Sequence, residues 1–134
     1  MNKVSIFSLI LMQIFLFLGC GSEDPSDQCI YGRIVGQKCE VYALQLDSNS
    51  LGSTQWKKMN QTTGEIEATY ENVIGLLDLP ENFKEEGKLI YVTLRAPSGE
   101  EGNVPCYADM PGPPSPLFVV VSASESVCDK TQNN

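Results

Sequence analysis

The five cysteines of this 134-residue chain are the residues that could form disulfides, bind a metal or carry a lipid, and the chain has no histidine. Without imidazole it lacks the commonest general base, the usual partner of a nucleophilic serine or cysteine, and the commonest neutral metal ligand. The cysteines from Cys29 onward are separated by 10, 67 and 22 positions, so no C-x-x-C pair supports a zinc or redox centre. We therefore expect no catalytic residue, no metal and no cofactor.

Cys20 stands apart from the other four cysteines because it ends an apolar run and precedes a polar segment. The local sequence Phe17-Leu18-Gly19-Cys20 follows about fifteen mostly apolar residues, fewer than the roughly 20 that span a bilayer. This pattern resembles the start of a bacterial lipoprotein, in which a signal peptidase cuts after a small residue such as Gly19 and the Cys20 thiol receives a lipid. An uncleaved membrane anchor and secretion with cleavage elsewhere are the two alternatives.

Cleavage before Cys20 divides the chain into four parts. We predict a signal peptide at 1–19, an acylated flexible tether at 20–28, a single β-rich domain at 29–128 and a disordered tail at 129–134. Removing the signal peptide takes away Lys3, so eight basic side chains face seventeen acidic ones and the net charge becomes about −9. Such a chain repels phosphate backbones, so nucleic acid is not an expected partner and the lipid supplies the membrane attachment.

The residue after Cys20 bears on which membrane holds the protein. In bacterial lipoproteins an aspartate at this position retains the protein in the inner membrane, and here the position is Gly21. By that resemblance the chain is expected in the cell envelope at the outer membrane, on its periplasmic face or at the cell surface. The alternative interpretation of 21–28 is a polar tether without an address, interrupted by Pro25.

The strongest sequence period after the tether is two, which is typical of half-buried strands. In the segment 88–95 the alternation places Ile90, Val92 and Leu94 on one face. Six strands are predicted, at residues 31–35, 40–47, 54–59, 65–71, 88–95 and 117–123. One short helix is predicted at 80–87, with Pro80 at its first position and Gly87 at its end.

Strands with one short helix before the 88–95 strand predict an all-β domain, a small OB-like barrel, with a small β-sandwich as the alternative. Once Cys20 is assigned to lipid, the remaining cysteines form an even set, as two disulfides require. The pairing Cys39 with Cys106 and Cys29 with Cys128 is favoured because the latter two flank the domain. The other two pairings of these four cysteines remain open.

The segment Leu79-Pro80-Glu81-Asn82-Phe83-Lys84-Glu85-Glu86-Gly87 resembles a turn found in a group of small secreted or lipid-anchored bacterial domains. These domains also carry an early Gly-x-x-Cys hairpin, similar to Gly36-Gln37-Lys38-Cys39. The likeness covers about half of the mature chain and departs from the group at the insertion 97–116. It implies a small β-barrel, and it implies no catalytic residue because the group has no established activity.

The segment 96–116 is the predicted binding loop, since it is long, rich in proline and glycine, and joins two strong strands. Tyr107 and Met110 in this loop are the candidate contact residues. Trp56 is a third candidate, as an aromatic platform formed with Tyr42 or Tyr70. The alternative for the segment 96–116 is a surface loop held by a disulfide without a binding partner. The alternative for Trp56 is a buried indole ring.

Together these features predict a lipid-anchored envelope protein that binds another envelope protein or a glycan and is not an enzyme. Two other functions are weighed against this one. The first is inhibition of a secreted hydrolase through the 96–116 loop, and the second is a glycan hydrolase that uses carboxylates. Glu65, Glu67 and Glu71 share the polar face of one predicted strand, where solvation is their ordinary role.

Overall fold

The computed structural model describes residues 28–106 and 111–128. Within these residues the chain forms six strands and two one-turn 3-10 helices, and it contains no α-helix. The strands are β1 (Cys29–Lys38), β2 (Val41–Leu46), β3 (Thr54–Met59), β4 (Ile66–Leu77), β5 (Leu89–Arg95) and β6 (Leu117–Ser124). In this part of the chain no helix is long and apolar enough to cross a membrane.

Five of the strands are hydrogen-bonded in a ring-like order. β1 pairs with β2 and β5, β2 with β4, and β5 with β6, all antiparallel, and a short parallel pairing of β4 with β6 completes the ring. β3 pairs with β4 and lies outside the ring, so the mixed six-stranded sheet is not formally a barrel. The predicted all-β class is confirmed, and the strands form one sheet instead of the two layers of a sandwich.

The main core fills the inside of this ring. The alternation in β5 places Ile90, Val92 and Leu94 there with no exposed surface, as their spacing predicts. Ile34, Leu44 and further apolar side chains of the other ring strands pack around them. A full core of aliphatic side chains at every second position explains why the ring strands hold one register.

β4 is longer than the predicted strand 65–71 and continues to Leu77. Its second half is buried on both faces, because Ile74 and Leu76 face the main core while Val73 packs on the opposite side. Asn72, with φ of 57°, separates this half from the exposed first half. Alternation between polar and apolar residues disappears in such a segment, and this is why the pattern ended at residue 71.

The predicted helix at 80–87 is wrong in type and length. Only Glu81–Phe83 is helical, as one 3-10 turn that buries Phe83. The turn cannot continue because the Gly87 N–H donates to the Ile34 carbonyl at 2.7 Å and the Lys88 carbonyl accepts from Ile34 N–H, which adds these residues to the β1–β5 ladder. The second 3-10 turn, Gly99–Gly102, was not predicted.

Two disulfides connect Cys29 with Cys128 and Cys39 with Cys106, which is the pairing favoured from the sequence. The first bond joins the two ends of the domain, with 5.7 Å between the Cα atoms. The second joins the turn between β1 and β2 to the loop between β5 and β6. Because disulfides persist in oxidising compartments, they indicate an extracellular or periplasmic protein.

Candidate functional site

The loop between β5 and β6, residues 96–116, is fixed near its start by Glu101. The carboxylate of Glu101 accepts two hydrogen bonds from the Arg95 guanidinium, at 2.7 Å each, and further bonds from the backbone and hydroxyl of Ser98. The bonds from Arg95, then those from Ser98, lower the pKa of Glu101 to about 2. This carboxylate therefore holds the start of the loop, chiefly through Oε2, which accepts three of the four hydrogen bonds.

The final part of the loop packs onto the outer face of β4. Pro114 is fully buried, and the Gly75 N–H donates to the Pro116 carbonyl at 2.8 Å. A Cβ on Gly75 would lie 2.5 Å from the Pro114 carbonyl oxygen, so glycine is required for this close approach. The Thr54 hydroxyl donates to the Ser115 carbonyl at 2.7 Å and ties the loop to β3 as well.

Trp56 is the side chain on β3 that the loop covers. Its indole N–H donates to the Gly112 carbonyl at 3.2 Å, and only 5% of the residue is exposed. The ring stacks with Tyr70 at a centroid distance of 6.4 Å and packs with Val35 in a second small core outside the ring. The indole is therefore enclosed by packing and stacks with Tyr70, as in the alternative of a buried ring, and a binding role for Trp56 stays a prediction.

Tyr42, the other aromatic residue named as a possible partner of Trp56 besides Tyr70, is not brought to this place. Tyr42 lies against the main core, with Lys84 Nζ 5.6 Å from its ring centroid, and does not join Trp56. Tyr107 and Met110 lie outside the described residues, as does Cys20, so their roles stay predictions. Among the described residues no group of three or more potential metal ligands of the His, Cys, Asp or Glu type is found.

Glu67 and Glu71 of the predicted carboxylate face lie on β4, and Glu65 directly precedes the strand. Glu67 approaches Lys58 Nζ at 3.4 Å, and Glu86 approaches the same Nζ at 2.6 Å. The hydrogen bond that Lys58 donates to the Glu86 carboxylate is the main reason that the pKa of Lys58 is raised. Lys58 thus fastens the β3–β4 hairpin to the turn before β5, and this is a structural role for one of the carboxylates considered for catalysis.

A surface that the sequence analysis missed lies on the outer side of β1, β5 and β6. Tyr31 and Tyr91 are direct cross-strand partners there, half-buried, with ring centroids 4.7 Å apart and planes tilted by 39°. We name this surface the tyrosine face. It comprises the paired outward residues Cys29, which is bonded to Cys128, Tyr31, Arg33, Leu89, Tyr91, Thr93, Ser122 and Ser124.

Strand register sets the arrangement of the tyrosine face. Tyr91 pairs with Tyr31 on one side and with Ser124 on the other, forming its middle row. In the next row Thr93 pairs with Ser122, and their hydroxyl oxygens lie 2.7 Å apart. On the opposite side of the tyrosines, Arg33 pairs with Leu89, which is 42% exposed. The face therefore combines aromatic rings, hydroxyl groups and one guanidinium on a rigid sheet.

Arg33 and the two tyrosine hydroxyls are the groups of the tyrosine face that can meet a ligand, whereas the hydroxyls of Thr93 and Ser122 bond to each other and that of Ser124 bonds to Ser126. Within residues 28–106 and 111–128, Arg33 forms no ion pair and neither tyrosine hydroxyl forms a hydrogen bond. None of the residues of the face is acidic, although the chain carries 17 acidic and 9 basic side chains. Because charge of either sign is scattered over an ordinary surface, a neutral-to-positive aromatic patch on so acidic a chain is a candidate binding site.

The sequence held part of this information. The alternation that sends Ile90, Val92 and Leu94 inward also sends Tyr91 and Thr93 outward. What it did not contain is the pairing of β1 with β5, which places Tyr31 beside Tyr91 although the two residues are 60 positions apart. No family model matches the chain, and no curated protein matches it either.

Proposed function

We propose that this protein is a lipid-anchored component of the bacterial cell envelope that binds a ligand without catalysis, and that the tyrosine face is its binding surface. The observation that carries the proposal is the joining of the Tyr31–Tyr91 pair with Arg33 within a set of outward residues of which none is acidic. Tyrosine and arginine are the residues most enriched at binding hot spots, since they offer large rigid contact area and hydrogen bonds together.

The lipid anchor is proposed from the Phe17-Leu18-Gly19-Cys20 pattern and agrees with an oxidising compartment. Nine positions separate Cys20 from Cys29, so an extended tether reaches about 30 Å from the membrane surface. This length suits a domain that meets other envelope components near the membrane. The Gly21 after the cysteine supports an outer-membrane location by its resemblance to sorting signals.

Intact-mass spectrometry of the protein from membranes of its native host tests the anchor. We expect loss of residues 1–19, added acyl chains, and a gain of about four protons on reduction of the two disulfides. A Cys20→Ala variant is the control and should carry no lipid. A wild-type mass without lipid, equal to that of the variant apart from the substitution, would remove the anchor from the account.

Binding of the labelled protein to host cells that lack their own copy tests the tyrosine face. We expect a Tyr31→Thr/Tyr91→Thr variant to lose binding, because threonine keeps the strand propensity and removes the aromatic area. A Gln55→Thr/Lys57→Thr variant changes two exposed residues of β3 and should bind as wild type does. Equal binding by all three proteins would contradict the proposal.

Inhibition of a secreted hydrolase is the second candidate function, and one observation favours it. The loop 96–116 is held on both sides of residues 107–110, by Cys106 on one side and by buried Pro114 on the other. Fixed flanks shorten the segment that has to be ordered when a protease or lysozyme binds. A Tyr107→Ser/Met110→Ser variant distinguishes the two functions: loss of cell binding in this variant alone would favour the loop over the tyrosine face.

A further inference from the structure

The size of the tyrosine face limits the kind of ligand that it can hold. Three rows along strands that rise about 3.4 Å per residue, across three strands about 4.8 Å apart, cover roughly 20 by 14 Å, or about 300 Å². A stable protein–protein interface needs about 800 Å² on each partner. The face is therefore too small for a folded protein partner and fits a ligand of a few sugar rings or a short peptide.

The chemistry of the face favours the sugar. Peptides are commonly held by a free strand edge, an apolar groove or a cluster of arginines, whereas here β5 is hydrogen-bonded on both edges, to β1 and β6. The π-faces of Tyr31 and Tyr91 carry negative potential that attracts the C–H groups of a sugar ring. The hydroxyls of Thr93 and Ser122 bond to each other, and the pair retains one donor hydrogen and further lone pairs of the type that sugar hydroxyls need.

Arg33 adds a charge requirement to this arrangement. It is exposed, lies two residues from Tyr31 on the same side of β1, and has no ion-pair partner among the described residues. A guanidinium matches a carboxylate through two parallel hydrogen bonds. The nearest acidic residue along β6, Glu125, is held by Lys88 Nζ at 2.6 Å and does not compete for Arg33.

We propose that the tyrosine face binds a short oligosaccharide that carries a single carboxylate, with a sugar ring on the Tyr31–Tyr91 pair and the carboxylate on Arg33. The net charge of −8 opposes a long polyanion, so one acidic sugar within a neutral glycan fits better than a polyuronate. This inference rests on the proposed binding function of the face and names its ligand class.

The test uses the mature protein, purified from host membranes in detergent, and trisaccharides that end in one uronic or sialic acid. Each trisaccharide is immobilised on a glycan array beside its carboxyl-reduced form, which keeps the sugar ring and loses the negative charge. We expect saturable millimolar binding to at least one acidic trisaccharide and about fivefold weaker binding to its reduced form, the scale of an exposed ion pair of about 1 kcal/mol. Added salt should narrow this difference.

Arg33→Gln and Lys57→Gln form the matched variant pair, because each removes one positive charge from an exposed strand position. Only Arg33→Gln should erase the preference for the acidic form, and Tyr91→Thr should weaken binding to both forms. Equal binding of acidic and reduced trisaccharides by wild type would overturn the inference, as would no binding at all. If host-cell binding still depends on Tyr31 and Tyr91 in that case, the ligand class is wrong while the binding function stands. Loss of cell binding after protease treatment, with binding retained after periodate oxidation of the cell-surface glycans, would likewise replace the sugar by a peptide.

Discussion

Removing the Cys39–Cys106 disulfide is predicted to destabilise the domain and to loosen one identified region. This bond closes 67 positions of chain, for which the loop-entropy estimate is about 4.4 kcal/mol at 25 °C. The Cys29–Cys128 bond lowers that value because it already provides a second path between Cys39 and Cys106. That path contains the 10 positions from Cys29 to Cys39 and the 22 from Cys106 to Cys128.

In the unfolded chain, the direct path of 67 positions and the second path through the Cys29–Cys128 bond together restrain Cys39 and Cys106 as one loop of about 22 residues would. A Cys39→Ala/Cys106→Ala variant should therefore lose about 3.4 kcal/mol of unfolding free energy. The same reasoning for Cys29→Ala/Cys128→Ala leaves a path of about 32 residues and a loss of about 3.7 kcal/mol. The two variants should therefore be destabilised almost equally, and each serves as the control for the other. Urea unfolding followed by circular dichroism measures both losses.

The two variants should differ in the surroundings of Trp56, the single tryptophan of the chain. Its indole bonds to Gly112 in the loop that Cys106 holds, whereas Cys128 lies after β6 at the other end of the domain. In native buffer we expect stronger acrylamide quenching in the Cys39→Ala/Cys106→Ala variant alone. A loss below about 1 kcal/mol, or equal quenching in both variants, would refute this account of the loop.

Two further predictions concern single side chains. Gly75→Ala should destabilise the domain by about 1–3 kcal/mol in urea unfolding, because the added Cβ would meet the Pro114 carbonyl. Gly112→Ala is the control and should change stability little, since there is open space around Gly112. Equal effects of the two substitutions would contradict the packing described. The pKa of Glu101 is about 2 in the folded protein, mainly through Arg95, and 4.5 is its ordinary value. The stabilisation that ionised Glu101 contributes is thus present above about pH 4.5 and is lost as pH falls toward 2. Glu101→Gln should therefore flatten the pH dependence of the unfolding midpoint in this range. An unchanged slope would count against the lowered pKa of Glu101.

The sequence predicts those parts of the fold in which one face of a strand is buried and the other is solvated. β5 is the clearest case, because its apolar residues alternate with tyrosine, threonine and arginine. The end of β4 escaped prediction since Val73, Ile74 and Leu76 are all buried and Gly75 interrupts the pattern. A strand covered on both faces has no period to detect.

The candidate sites show the same division. A lone tryptophan near a polar strand carries no signal of what covers it, and here the covering residue, Gly112, lies 56 positions away. Burial of Trp56 therefore depends on tertiary packing that residue type cannot reveal. The pairing of Tyr31 with Tyr91 likewise depends on strand order, because each residue alone is an ordinary outward position of a strand.

Oxidative footprinting of tyrosines in membranes of the native host tests directly whether the tyrosine face is the binding surface. The protein is exposed to hydroxyl radicals within those membranes and, separately, after release into detergent, and oxidation of each tyrosine is measured by mass spectrometry. We expect Tyr31 and Tyr91 to be protected in the membranes, whereas Tyr42 and Tyr70 should react equally in both samples. Unchanged oxidation of Tyr31 and Tyr91, together with protection of peptides from 96–116, would contradict the tyrosine face as the binding surface.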